Sequence, residues 1–252
     1  MVNLPKRINE HCGRLVDRML ELLKSGEVPM SVATLMRNRL EQGAEFPDLW
    51  NNWYDTSDLV VYPEGNDEEI YFLLTVNNKG EVTPNGRKAL ELIRPENLAS
   101  NRGVVVEQLK DLEGKGLIKV SRNKLTIGKY LTQEQALKEI TLRILARHQE
   151  EVPKDFAESE DLLKNYEAQV RTKTGLSTNM AVYLGDSLED KTTLKAWYVN
   201  WLGCRSYAYG SYDLGGYYGR LLGIAPEAPG KGVANQLEAK IQTALDSRKP
   251  FE

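Results

Sequence analysis

Three acidic side chains fall close together at Asp186, Glu189 and Asp190. Carboxylates at that spacing can gather a divalent cation through oxygen ligands, the arrangement that metal-assisted nucleic-acid cleavage requires. The same acids also suit the first turn of a following helix, where the macrodipole favours negative charge. Glu68 and Glu69 invite a nuclease comparison too, but the lysine such a site needs two residues later is missing. Histidine chemistry has only His11 and His148 to draw on, which leaves little material for a metal cluster or a catalytic triad. Residues 230–232 read Gly-Lys-Gly, without the glycine spacing before the lysine or the hydroxyl residue after it that a phosphate loop uses. No dinucleotide fingerprint occurs, so the residues point to no cofactor.

Two further groups of side chains favour binding over catalysis. Lys119, Arg122, Lys124 and Lys129 fall within eleven residues that contain no acid, and Arg102 lies a short way upstream. Such cations contact phosphate oxygens without reading sequence. They read equally as the solvated face of a hairpin whose other face holds Val120, Leu125 and Ile127. The stretch from Cys204 to Gly223 holds five of the twelve tyrosines: Tyr207, Tyr209, Tyr212, Tyr217 and Tyr218. Trp197 and Trp201 precede it, and Arg205 and Arg220 flank it. Tyrosine and tryptophan among glycine and serine supply rigid contact area on an adaptable backbone, suited to partner binding or to base stacking. A β-hairpin or buried loop with Tyr207 and Tyr209 on one face accounts for the same pattern.

The elements that must carry these groups follow from periodicity and punctuation. Ile8, Cys12, Leu15, Val16, Met19, Leu20 and Leu23 recur at helical intervals, predicting an amphipathic helix over 6–25. A second follows from Ser31 to Gln42. Residues 58–62 and 70–76, separated by Pro63, Gly65, Asn66 and Asp67, predict strand, turn and strand. Thr83 before Pro84 starts a helix reaching about Ile93. Thr132 and Gln135 form a capping-box pattern ahead of a long helix that carries Leu137, Ile140, Ile144 and His148. Further helices are expected over 155–173, over 191–202 and from Val233 to Leu245.

Within this series, residues 83–128 resemble a winged-helix module. Ser100 can cap a third helix, Val105, Leu109 and Leu112 repeat along it, Gly116 ends it, and Leu117 and Ile118 re-enter the core. Arg122 and Asn123 then turn into Lys124–Ile127 as the second wing strand. The resemblance implies a reading helix in the major groove. Here that helix would present Val104, Val106, Glu107 and Asp111, which are apolar or acidic, so the basic wing or a protein-binding face becomes the working surface.

The expected fold is therefore α+β and predominantly helical. It comprises an N-terminal helical region with a short β-hairpin, the winged-helix-like module, and a C-terminal helical region with a Tyr/Gly-rich hairpin or loop. Residues 1–150 and 151–252 are expected as two domains. With 252 residues and 41% hydrophobic side chains the chain can bury a core. Its net charge of −3 excludes a globally basic nucleic-acid binder. Two distant cysteines and the absence of a signal-like or membrane-spanning apolar run fit a cytoplasmic protein.

The function expected is a non-enzymatic binding or assembly subunit of a macromolecular complex, with protein partners and nucleic acid reached through the wing. The alternatives are a winged-helix DNA-binding regulator, a metal-dependent nuclease or other hydrolase using Asp186 and Asp190, and a structural virion or ribonucleoprotein subunit. Oligomeric state is left open.

Overall fold

A computed structural model describes residues 7–66, 68–99, 103–158, 161–185, 191–202, 205–210, 214–216 and 218–226. In chain order the elements are β1 (Ile8–Cys12), α1 (Leu15–Lys24), β2 (Val28–Pro29), α2 (Val32–Gln42), α3 (Asp48–Asn51), β3 (Tyr54–Tyr62), β4 (Glu69–Leu73) and α4 (Pro84–Leu92). Then come β5 (Leu98–Ala99), β6 (Gly103–Val105), β7 (Leu117–Ser121), β8 (Tyr130–Thr132), α5 (Gln133–Lys138), α6 (Ile140–Leu145) and α7 (Leu162–Thr174). Strands β9 (Thr178–Tyr183), β10 (Thr193–Val199), β11 (Ser206–Tyr209) and β12 (Arg220–Ile224) complete the order.

All twelve strands belong to one mixed sheet built around the antiparallel pair β3 and β10. At one end this pair is flanked by β12 and β1 on the β3 side, and by β11, β9 and β8 on the β10 side. At the other end β4 and β7 extend from β3, while β6 and β5 extend from β10. Every residue of β3 is buried, which requires cover on both faces. The two-residue period divides its side chains accordingly. Tyr54, Val60 and Tyr62 join one apolar cluster with residues of α2, α6 and α7. Leu59 and Val61 join a second, with residues of α1 and α4. Both clusters draw residues from either side of position 150.

Several sequence signals operate as expected. Ser31 caps α2 by accepting from the Thr34 N–H, Thr83 caps α4 through Gly86, and Thr132 with Gln135 makes the capping box of α5. β3 and β4 pair as a hairpin. α7 forms only the later part of the predicted 155–173 helix, starting at Leu162, capped by Asp161 and closed by the left-handed Gly175.

Others are overturned, and with them the predominantly helical fold class. The helix over 6–25 is a strand followed by a helix, broken at Gly13, whose φ of 130° no L side chain adopts readily. The predicted helix over 191–202 is β10, a central strand. Its alternation is masked because both faces are covered. The long helix after Thr132 divides at Glu139, whose backbone is extended and whose side chain caps α6 by accepting from Thr141 N–H. The Val233–Leu245 helix lies outside the described residues.

The winged-helix module is not formed. Gly103–Val105 is β6, paired with β5 and β10, and Leu109–Leu112 makes only a 3-10 turn. Three consecutive valines lose χ1 freedom in a helix and pack well on a pleated surface. Val104 and Val106 both enter the second cluster. Gly103 lets β6 approach closely, since a Cβ there would fall 2.5 Å from Thr193 Cγ2. Nor is there a wing: β7 pairs with β4, much earlier in the chain, and residues 124–127 carry no strand.

Candidate binding surface

Beyond the bulge between Ala196 and Tyr198, β10, β11, β9 and β8 place their side chains alternately into the core and outward. Met180, Val182, Trp197, Val199 and Ala208 point into the first cluster. Tyr198, Tyr207, Tyr209, Tyr183 and Tyr130 take the opposite face and are half-buried. Register arranges them in two rows. Tyr198, Tyr209 and Tyr183 are direct neighbours across β10, β11 and β9. Tyr207 and Tyr130 flank Ala181 from β11 and β8. Ala181 is fully buried and belongs to neither apolar cluster, so the small residue lies beneath the rings.

These five tyrosines line a depression of about 410 Å³. Four make a closed circuit of edge-to-face contacts. Tyr183 meets Tyr207 at 5.3 Å and Tyr209 at 6.0 Å, while Tyr198 meets Tyr209 at 5.4 Å and Tyr207 at 6.0 Å. The Tyr198 hydroxyl donates to the Tyr207 oxygen at 3.2 Å. The Arg205 guanidinium sits over the Tyr130 ring at 4.2 Å. Burial, then a hydrogen bond with Tyr130, raises the Tyr183 phenol above its ordinary pKa, so it stays protonated near neutrality.

The far end of β11 is fixed from beneath. Gly210 donates its N–H to the Tyr183 carbonyl and accepts from the Tyr62 hydroxyl, and a Cβ there would press to 3.0 Å on the Trp197 ring. Trp53 packs edge-on against Tyr198 at 6.1 Å and also lines a second depression of about 580 Å³ with Glu10, Cys12, Gly13, Tyr218, Gly219 and Arg220. The segments leading to Trp53 and Trp201 are tied together by buried Arg39, which donates to the Asn52 and Asn200 carbonyls.

Asp55 is buried beside this second depression. Its Oδ2 accepts the Arg220 N–H at 2.9 Å, and its Oδ1 has no hydrogen-bond partner among the described residues. Burial pushes its carboxyl up to about 7, against the lowering effect of that one hydrogen bond. The folded state therefore holds a proton that the unfolded chain releases from about pH 4 upward. Stability from this group is present at low pH and declines as pH rises towards 7, because the unfolded state binds fewer protons in that window. Asp55→Asn should flatten this decline. Urea unfolding at pH 5 and pH 8 checks it: the variant is expected to lose less stability between the two than the parent, and equal losses would exclude the effect.

Of the residues predicted to bind partners, the structure brings Tyr207 and Tyr209 into the first depression, with Arg205 stacked on the Tyr130 ring at its edge, and Tyr218 and Arg220 into the second. Tyr218 is 83% exposed and Trp201 is 50% exposed. Arg220 is engaged with Glu10 and with Asn52 Oδ1. Trp197 is a core residue, stacked on Phe72 at 5.4 Å and 9°. Tyr212 and Tyr217 lie outside the described residues, as do Arg102 and the acids Asp186, Glu189 and Asp190.

The wing expected to carry the basic residues is not formed, and they take other places. Lys119 pairs with Glu69 at 2.6 Å, and Arg122 donates to the Gly185 carbonyl and lies over the Tyr62 ring. Lys124 and Lys129 are exposed. The sequence pattern does not single out Tyr130, Tyr183 and Trp53, whereas Tyr198 stands beside Trp197 ahead of the tyrosine-rich stretch. Each stands at or beside the end of a strand, and only the pairing of those strands reveals that they meet. Among the described residues no helix is long and apolar enough to cross a membrane.

No family model matches the chain, and no curated protein sequence matches it. A solved structure described as the accommodation of massive sequence variation in Nanoarchaeota by the C-type lectin fold aligns with a TM-score of 0.60 and 15% identity. The alignment covers 88% of this chain and all of that one. The likeness shows a C-type lectin fold, which replaces the winged-helix and DNA-binding readings.

Proposed function

We propose that the protein is a non-catalytic binding module whose tyrosine face engages a protein partner. The observation that carries this reading is the convergence of five half-buried tyrosines from four strands on one open depression, over strands whose alternate residues are in the core. Large, rigid rings with polar tips bind at low cost in conformational entropy, and aromatic residues dominate the energetics of protein interfaces. The alternate residues of the same strands supply the core beneath the rings. The C-type lectin fold accommodates massive sequence variation in the similar Nanoarchaeota structure, which fits a chain whose outward face can be specialised without disturbing its core.

Panning a random-peptide library against the protein tests the reading. Enriched peptides are expected to lose at least about tenfold in affinity on a Tyr130→Ser, Tyr207→Ser double variant, equivalent to about 1.4 kcal/mol. The double variant is expected to retain the parent's circular dichroism, with Tyr207→Ser alone as a milder check. Unchanged affinity on both folded variants would overturn the proposal.

A further inference from the structure

We infer that the tyrosine depression is a cation cage that receives the ammonium or guanidinium group of a partner's lysine or arginine. This rests on the binding reading above and adds the chemistry of what is bound.

Three observations lead to it. First, Tyr183, Tyr207, Tyr198 and Tyr209 form a closed circuit in which consecutive rings are inclined by 73–85°. That is the relation between adjacent walls of a box. Second, among the described residues the depression is lined by tyrosine, with no carboxylate in that lining to pair with a charge. An incoming cation is therefore met by ring faces, whose quadrupole presents negative potential, and by phenol oxygens at the rim. Third, the molecule already seats a guanidinium on this surface, with Arg205 at 4.2 Å over Tyr130. That face is taken by Arg205, so an incoming cation is received by the faces of the other four rings.

Volume narrows the ligand further. About 410 Å³ exceeds the needs of one ammonium group, so the methylene stem of a side chain enters with it. A long cationic side chain combines both requirements, because its stem covers apolar ring surface while its head takes the charge-dependent contact. An anion would have to rely on Arg205 at the edge and would gain nothing from four ring faces.

The test compares two probes of the same shape, choline and its uncharged carbon isostere 3,3-dimethylbutanol. Each is titrated into protein with isotope-labelled tyrosine rings and followed by NMR. Choline is expected to shift the Tyr183, Tyr198, Tyr207 and Tyr209 resonances and to bind at least about tenfold more tightly than the isostere. Tyr207→Phe should keep this preference, since the ring face is retained, while Tyr207→Leu should abolish it.

Equal binding of the two probes overturns the cation preference and leaves the binding surface intact. If neither probe shifts the rings while peptides from the library still bind there, the cage is overturned and the binding module again stands. A stronger response of the same resonances to inorganic phosphate overturns it in favour of an anion at Arg205. Failure of the binding reading shows differently, as peptide affinity insensitive to Tyr130 and Tyr207.

Discussion

Replacing Asp58 with alanine is expected to lower the unfolding free energy by about 3–5 kcal/mol, the range for breaking one side of a buried ion pair. Asp58 and Arg147 are both fully buried and meet at 2.6 Å. Asp58 Oδ2 also accepts the Val32 N–H at 3.0 Å, at the first turn of α2. Removing the carboxylate strands the Arg147 guanidinium in the core, where Nη1 already has no hydrogen-bond partner among the described residues. It also frees an N–H that the helix cannot satisfy internally. Arg147 has a left-handed backbone, with φ at 63°, and its side chain is only 2% exposed. Urea unfolding monitored by circular dichroism measures the loss. Asp155→Ala, which breaks the exposed Lys115–Asp155 pair, serves as a control expected to leave the midpoint nearly unchanged. A similar small effect for Asp58→Ala would mean that water reaches the guanidinium.

Phe72→Ala should cost a comparable amount, about 3–5 kcal/mol, through lost transfer energy and an unfilled cavity. Phe72 is fully buried on β4 and lies flat against Trp197 of β10, so the substitution removes the contact that packs two sheet neighbours of β3 against each other. Trp197 in turn supports Gly210 at the end of the tyrosine-bearing strand. Denaturant unfolding followed by tryptophan fluorescence should show the midpoint shift together with a changed native emission. Tyr207→Ser removes a ring that is only half-buried and is expected to shift the midpoint less. Equal shifts would place Tyr207 among the structural residues and weaken its assignment to a binding face.

Local signals in the sequence were reliable where one short-range interaction decides the outcome. Ser31, Thr83 and Thr132 each bond to a backbone N–H three residues on, and that geometry depends on nothing distant. The errors arise where long-range pairing dominates. Thr193–Trp197 is buried throughout, so the alternation that marks a half-exposed strand is erased, and in Val104–Val106 an unbroken run of valine hides the alternation of buried Val104 and Val106 with partly exposed Val105. The spacing of Val105, Leu109 and Leu112 then mimics a helix, although only the last of the three is buried. In the same way, Ile8 and Cys12 continue the period of α1 by coincidence, and Gly13 carries the information that separates them from it.

The candidate surface was legible in part. Tyr207 and Tyr209 stand out because a Ser-Tyr-Ala-Tyr stretch alternates small and aromatic residues on one strand. Tyr130 and Tyr183 join them only through a parallel pairing of β11 with β9 and an antiparallel pairing of β9 with β8, neither of which local composition encodes. Trp197 illustrates the converse. It has the residue type of a binding anchor, and the two-residue period sends it inward.

The pairing of β1 with β12 sets Ile8 opposite Ile224. Contacts between residues so far apart in sequence carry a large loop-closure entropy and slow the search for the native state. On a translating ribosome β1 emerges well before β12, with which it pairs, so the pair waits for most of the described chain. For that interval its edge is unpaired, a liability for association with other chains. The folding yield of this protein should therefore depend on what shields β1 until β12 has been made.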